Sequence, residues 1–122
     1  MIVMKFGGTS VADARAITAL GTTVAHARSE QPLVVVSALS GVTDTLLRLA
    51  QAAEQGDAAA TASGCDALQA RHVAVATDLG VASALAEPLR AQLEVLERIL
   101  AAVPAVERDA WRDAVVGMGE IL

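Results

Sequence analysis

Residues 4–10 read MKFGGTS, and Lys5 is the only lysine among nine basic residues. A lysine, a glycine pair and two hydroxyls in this order are parts suited to an anion. Gly7 and Gly8 carry no Cβ, so the backbone there can bend sharply and approach a ligand closely. Free N–H groups leading into a helix favour negative charge, and Lys5 adds a point charge. Together these groups can hold phosphate oxygens. The pattern is not a P-loop, because GxxxxGK[ST] does not occur. The same residues also suit an ordinary tight turn with a solvated lysine. Ser10 followed by Asp13 resembles a capping box with aspartate in place of glutamate.

Two further stretches repeat the theme. VVVSALSGVTDTL, residues 34–46, runs from an apolar segment into Ser37, Ser40, Gly41 and Thr43. Small hydroxyls here can donate to phosphate or to a small polar ligand, or Thr43 can simply cap the next helix. GMGEIL, residues 117–122, sets Glu120 between a glycine and the start of a possible helix. Its carboxylate can receive an ammonium group, or merely complement a helix N-terminus.

The elements that must position these residues follow from hydrophobic spacing. Residues 2–6 and 33–37 read as strands, and the second is continuously apolar, as in a strand buried on both faces of a parallel sheet. Val11, Ala14, Ile17, Leu20 and Val24 between them recur at helical spacing. Strand–helix–strand predicts parallel pairing. All three chemical stretches then lie in loops, two of them at the carboxyl ends of strands, where open α/β sheets bind ligands. Further helices are predicted from about Thr43 to Gly56, over 65–78, across the leucine stripe 85–100, and from about Ala105 through Trp111 toward Val116. The small-residue run DAAATASG before the third can be helical or loose. Pro88 suits only a first turn, so the leucine-stripe helix is expected to begin near residues 85–87. Glu94 and Arg98 are spaced as an i,i+4 pair. The stripe Leu85, Leu89, Leu93, Leu96 and Leu100 is too short for a coiled coil and reads as internal packing. Two strands alone make a weak core, which suggests a portion of something longer.

Composition bounds the function. A chain of 122 residues, 54% hydrophobic and 19% charged, is expected to form one globular domain. A net charge of −5 provides no basic patch for nucleic acid or anionic membranes. With only Phe6 and Trp111 as aromatics, base stacking is not on offer either. No apolar run reaches the roughly 18 residues of a membrane helix, and the N-terminus lacks the basic flank of a signal peptide. These features point to a cytoplasmic protein. Cys65 stands alone, so it reads as a small buried helix residue and no internal disulfide forms. His26 and His72 have no ligand-spaced companions and read as structural, with no metal site among them.

Taken together, KFGGTSV at the N-terminus, VVVSALSGVTDTL, and GMGE near residue 120 resemble the amino acid kinase family, and within it the aspartate kinases. Acetylglutamate and glutamate 5-kinases share a similar lysine–glycine start, whereas the continuation Thr9-Ser10-Val11 looks like the aspartate enzymes. The resemblance covers the whole chain but only the first part of that family's catalytic domain. It implies a three-layer α/β/α fold with a parallel sheet, helix-rich and truncated here. It also implies transfer of the γ-phosphoryl group of ATP, with Mg2+, to the side-chain carboxylate of L-aspartate. Lys5, Gly7, Gly8 and Ser10 would face the ATP phosphates, with Lys5 stabilising the transferred group. Ser37 and Thr43 would help to hold aspartate, and Glu120 would bind its α-ammonium. Many relatives read SGE where Met118 precedes Gly119-Glu120 here, which changes a neighbour and keeps the carboxylate. The adenine-binding part, other aspartate-binding residues and regulatory domains of that family would lie beyond residue 122. A homo-oligomer is expected. The competing expectation is a stand-alone, non-catalytic module of the same fold, used for oligomer assembly or anion binding.

Overall fold

A computed structural model describes residues 1–103 and 108–122. Strand β1 (Ile2–Phe6) pairs in parallel with β2 (Pro32–Val36), with Lys5 opposite Val35 and Phe6 opposite Val36. The crossover helix α1 (Ala14–His26) joins them, as the strand–helix–strand spacing predicts. Its cap differs from the expected one. Asp13 is itself the N-cap, its Oδ1 accepting from the Ala16 N–H at 2.8 Å, while Ser10 lies one turn earlier in a 3-10 turn (Gly8–Val11).

Four helices follow: α2 (Val42–Glu54), α3 (Ala58–Asp78), α4 (Ala82–Ala102) and α5 (Arg108–Gly117), with a closing 3-10 turn at Met118–Glu120. Gly56 (φ 71°) and Gly80 (φ 73°) end the second and third helices in the left-handed region that glycine enters without steric cost. The small-residue run is helical. Asp57 caps it by accepting from the Ala60 N–H at 2.9 Å, and α3 therefore begins seven residues before the expected start at residue 65. The expected beginning of the fifth helix, near Ala105, lies outside the described residues.

Helix α4 departs from expectation in two ways. It begins at Ala82, so Pro88 sits inside it, exposed, where it cannot donate back to the Ala84 carbonyl. The tight turn at Gly80 fixes the start, and packing of Leu93, Leu96 and Leu100 into the core carries the helix through the lost bond. Glu94 pairs with Arg90 rather than with Arg98, and Arg90 also holds Glu87. A single guanidinium between two carboxylates, at i−3 and i+4, takes both on one exposed face.

The core lies between helices. Val42, Leu46, Leu49, Leu68, Leu96 and Val115 are fully buried there, and Trp111 packs against the same cluster. The sheet sits outside this core, contrary to the expectation of a strand covered on both faces. Leu33, Val34, Val35 and Val36 are all exposed, Leu33 by 56%. Covering both faces needs flanking strands and a helix layer on each side. The described residues supply two strands, and α1 has no buried residue. Each histidine bonds within its own helix: Nδ1 of buried His72 meets the Leu68 carbonyl at 2.7 Å, and Nδ1 of exposed His26 meets that of Thr22 at 2.8 Å.

Candidate active site

Each chemical stretch forms a loop, and the fold brings the loops together at the carboxyl ends of the strands. The first loop leaves β1 through Gly7 and enters the 3-10 turn, closed by the Ser10 N–H donating to the Gly7 carbonyl at 2.9 Å. The second leaves β2 and extends the sheet by one rung, the Ser37 N–H donating to the Phe6 carbonyl at 3.0 Å. It then turns at Gly41 (φ 82°), which stands at the N-cap of α2 in a conformation that favours glycine. Thr43 is therefore not the cap. It lies in the first helical turn and is exposed.

Ala38, 5% exposed, is where the loops converge. A methyl group placed on Gly8 would stand 3.8 Å from the Ala38 carbonyl oxygen and 3.9 Å from the Ser40 Cα. One placed on Gly119 would stand 3.3 Å from the Ala38 Cβ, 3.7 Å from Val42 and 3.0 Å from Leu46. The first and third loops thus both meet the second at Ala38. The third is carried by α5, which Arg112 ties to α2 through a 2.8 Å ion pair with Glu54. Trp111, Val115 and Met118 anchor it in the core.

The two opening glycines have a different cause from Gly41. Neither has a positive φ, nothing lies within 4 Å of a Cβ on Gly7, and a Cβ on Gly8 meets only ordinary contacts. The fold itself asks for glycine at neither position. What glycine leaves there is unobstructed backbone at a helix approach, the feature an anion uses. Lys5 is exposed on β1, Ser10 and Ser37 are half-buried, and Thr43 and Glu120 are exposed. Among the described residues none of these five side chains holds a hydrogen-bond or ion-pair partner. Their polar atoms thus keep bonding capacity to spare among the described residues.

Arg71 is a residue the sequence reading passed over. From α3 its Nη2 donates to the Ala12 carbonyl at 3.0 Å and to the Ser40 carbonyl at 2.9 Å. Its partners lie 59 and 31 residues away, so no local spacing marks it among the arginines. Ala38 was missed for a related reason: a small apolar residue is singled out only by what packs on it.

A parallel strand pair with loops converging at its carboxyl end is the arrangement at which open α/β sheets place their ligand sites. The chain belongs to the amino acid kinase family, whose model matches residues 1–122. Its relatives in that family are aspartokinases. It is 33% identical over 124 residues to the bifunctional aspartokinase/homoserine dehydrogenase 1 of Arabidopsis thaliana, covering 98% of this chain and 14% of that protein. It is 30% identical to the lysine-sensitive aspartokinase 3 of Escherichia coli, covering 100% of this chain and 26% of that one. The chain thus spans about a quarter or less of the length of these relatives. The crystal structure of E. coli aspartokinase III in complex with aspartate and ADP superposes with a TM-score of 0.84 at 30% identity, over 99% of this chain and 26% of that one. The same enzyme with lysine and aspartate superposes at 0.80, again over 99% and 26%. The helix-rich fold with its small parallel sheet is therefore the amino acid kinase fold.

Proposed function

We propose that these 122 residues form the N-terminal portion of an aspartate kinase catalytic domain. The intact enzyme, continued to the length of its relatives, would move the γ-phosphoryl group of ATP to the side-chain carboxylate of L-aspartate. The products are ADP and 4-phospho-L-aspartate, the opening step toward lysine, threonine and methionine. The observation that carries this reading is the convergence of the three loops on Ala38. It sets the Lys5–Ser10 stretch beside Ser37, Thr43 and Glu120 at one end of the sheet.

The chemistry asks for positioning and charge stabilisation more than for covalent help. Lys5, Gly7, Gly8 and Ser10 would bind the phosphates through backbone N–H groups, a hydroxyl and one ammonium. Lys5 would act most strongly as charge shifts on the moving phosphoryl group. Ser37 and Thr43 would orient aspartate, and Glu120 would receive its α-ammonium. Among the described residues no three His, Cys, Asp or Glu side chains gather to cage a metal. Mg2+ would arrive on the nucleotide phosphates, the usual habit of this reluctantly dehydrated ion.

The same reading places the enzyme in the cytoplasm as a homo-oligomer, where a lone buried thiol needs no partner. Among the described residues no helix is long and apolar enough to cross a membrane. That the relatives the chain matches are aspartokinases favours this reading over a non-catalytic module for assembly or anion binding.

Lys5→Ala in the full-length enzyme tests the assignment. Turnover should fall by about 2.7–4 kcal/mol of transition-state stabilisation, as for loss of one preorganised donor, with aspartate binding less affected. Glu120→Ala should act in the opposite order, raising the aspartate KM first. Near-normal turnover in Lys5→Ala would overturn the role given to it.

A further inference from the structure

We infer that Arg71 is a positioning residue that sets the spacing between the two loops at the strand ends. The inference rests on the aspartate kinase reading for what those loops hold, and on geometry alone for the clasp. Both bonds come from a single nitrogen: Nη2 gives one N–H to the Ala12 carbonyl at 3.0 Å and the other to the Ser40 carbonyl at 2.9 Å. Ala12 closes the 3-10 turn that follows the glycine pair, and Ser40 immediately precedes the left-handed Gly41. No backbone N–H among the described residues bonds either carbonyl, so Arg71 is their protein partner. The guanidinium is planar and its donors are fixed relative to one another. Two acceptors on one nitrogen are therefore held at a set angle and distance.

The clasp is mounted on a rigid element. Leu68, His72 and Ala76 are buried on the same helix, and His72 follows Arg71 directly. The two loops also meet through the Ser37 N–H bond to the Phe6 carbonyl at their bases and through ordinary contact at Gly8, where an added methyl would stand 3.8 Å from the Ala38 carbonyl oxygen. Arg71 adds to these contacts a pair of hydrogen bonds that tie the end of the first loop to the second. In the proposed reaction one loop carries the phosphates and the other the acceptor. Their separation is then the distance the phosphoryl group must cross, to which transfer is steeply sensitive. Arg71 would touch neither substrate. Its loss should lower turnover while each substrate still finds its own loop.

Two measurements test this with Arg71→Ala, Arg71→Gln and Arg71→Lys. The first is hydrogen–deuterium exchange on the chain itself, which does not depend on catalysis. In Arg71→Ala, amides of residues 8–13 and 37–42 should exchange about tenfold faster, while those of the strands and the rest of α3 change by less than about twofold. Arg71→Lys, which keeps a charged donor, should recover part of the protection. The second is steady-state kinetics on the full-length enzyme. In Arg71→Ala, kcat should fall about tenfold or more, with both KM values within about twofold. Unchanged exchange in the two loops, or faster exchange everywhere together, overturns the clasp. Altered exchange with unchanged kcat, or a rise in KM alone, overturns the positioning role. If Arg71→Ala does not fold, a folded Arg71→Gln with wild-type exchange in both loops overturns the inference equally. A full-length wild-type chain that does not phosphorylate aspartate would sink the functional reading, and the exchange result would still decide the clasp.

Discussion

Gly41 and Gly119 serve the site for opposite physical reasons. Gly41 is required by its dihedral, φ 82°, so Gly41→Ala should cost about 1–2 kcal/mol, the left-handed penalty of a side-chain residue. Urea unfolding measures it. Gly119 is required by space. A Cβ there would stand 3.0 Å from the Leu46 Cδ1 and 3.3 Å from the Ala38 Cβ, and both neighbours are buried. Gly119→Ala should therefore overpack the junction by about 1–3 kcal/mol. On the proposed reading, in which Glu120 receives the aspartate ammonium, it should also raise the aspartate KM of the full-length enzyme, because Glu120 is the next residue. A wild-type KM in a folded Gly119→Ala would separate Glu120 from that pocket. Cys65 makes a prediction about pH. Burial pushes its thiol up, helped by the nearby Glu97 and Asp66 carboxylates. The folded chain thus holds the proton more tightly than the unfolded one. This contribution is fully present below the unfolded thiol value, about 8.5, and is lost as pH rises through the higher folded value. A thiol reagent at neutral pH should label Cys65 only at the rate of chain opening. Rapid labelling of the folded chain would contradict the burial.

At the scale of elements, α3 and α4 each carry a residue that propensity argues against. Gly64 lies within α3, where glycine costs about 1 kcal/mol relative to alanine. Packing explains it: a Cβ at 64 would fall 2.5 Å from the Leu49 Cδ2 and 2.9 Å from its Cγ, closer than any side chain tolerates. The glycine is what lets α3 lie against α2. Gly64→Ala should destabilise the chain by about 1–3 kcal/mol. Leu49→Ala frees that space, so the double mutant should lose less than the sum of the two single losses. A purely additive double mutant would show that the two do not share the space. Pro88 is the reverse case, a local cost with no packing demand behind its ring. Pro88→Ala restores a helical N–H and should stabilise α4 by up to about 3 kcal/mol. An unchanged melting temperature would mean that the helix has already absorbed the break elsewhere.

The whole molecule is well packed on one side and open on the other. The helical core is closed, whereas β2 exposes Leu33 by 56% and Val36 by 50%, and both strands are edges of the sheet. Unpaired strand edges with apolar side chains invite pairing with another chain. Light scattering on the 122-residue chain should therefore give a mass above 12.4 kDa, and Val36→Lys, which charges that edge, should shift it toward the monomer. A clean wild-type monomer would show that the helical core suffices. On the proposed reading the adenine is held by residues outside this stretch, and with one substrate unplaced effective molarity collapses. An ATP-dependent hydroxamate assay with aspartate should give no signal for this chain alone. Robust turnover would mean that the site is completed within these residues.

What was legible in the sequence was local. Strand and helix periodicities placed β1, β2, α1 and α2 to within a residue or a few, because each pattern repeats along a short stretch of chain. The glycine, hydroxyl and carboxylate stretches were recognisable because their chemistry is carried by contiguous residues. Capping and breaking signals were less reliable. Asp13, not Ser10, caps α1, Gly41 displaces Thr43 as cap, and Pro88 sits within a helix held by its core leucines, since tertiary packing outweighs a single local preference. The long-range partners were not legible at all. That Ala38 would receive both Gly8 and Gly119, and that Arg71 would reach carbonyls 59 and 31 residues away, depends on how the helices stack. The sequence by itself determined which residues could do the chemistry. Only the tertiary structure decided which of them meet, because contacts between distant segments are set by the shape of the whole core and leave no periodic mark on the chain.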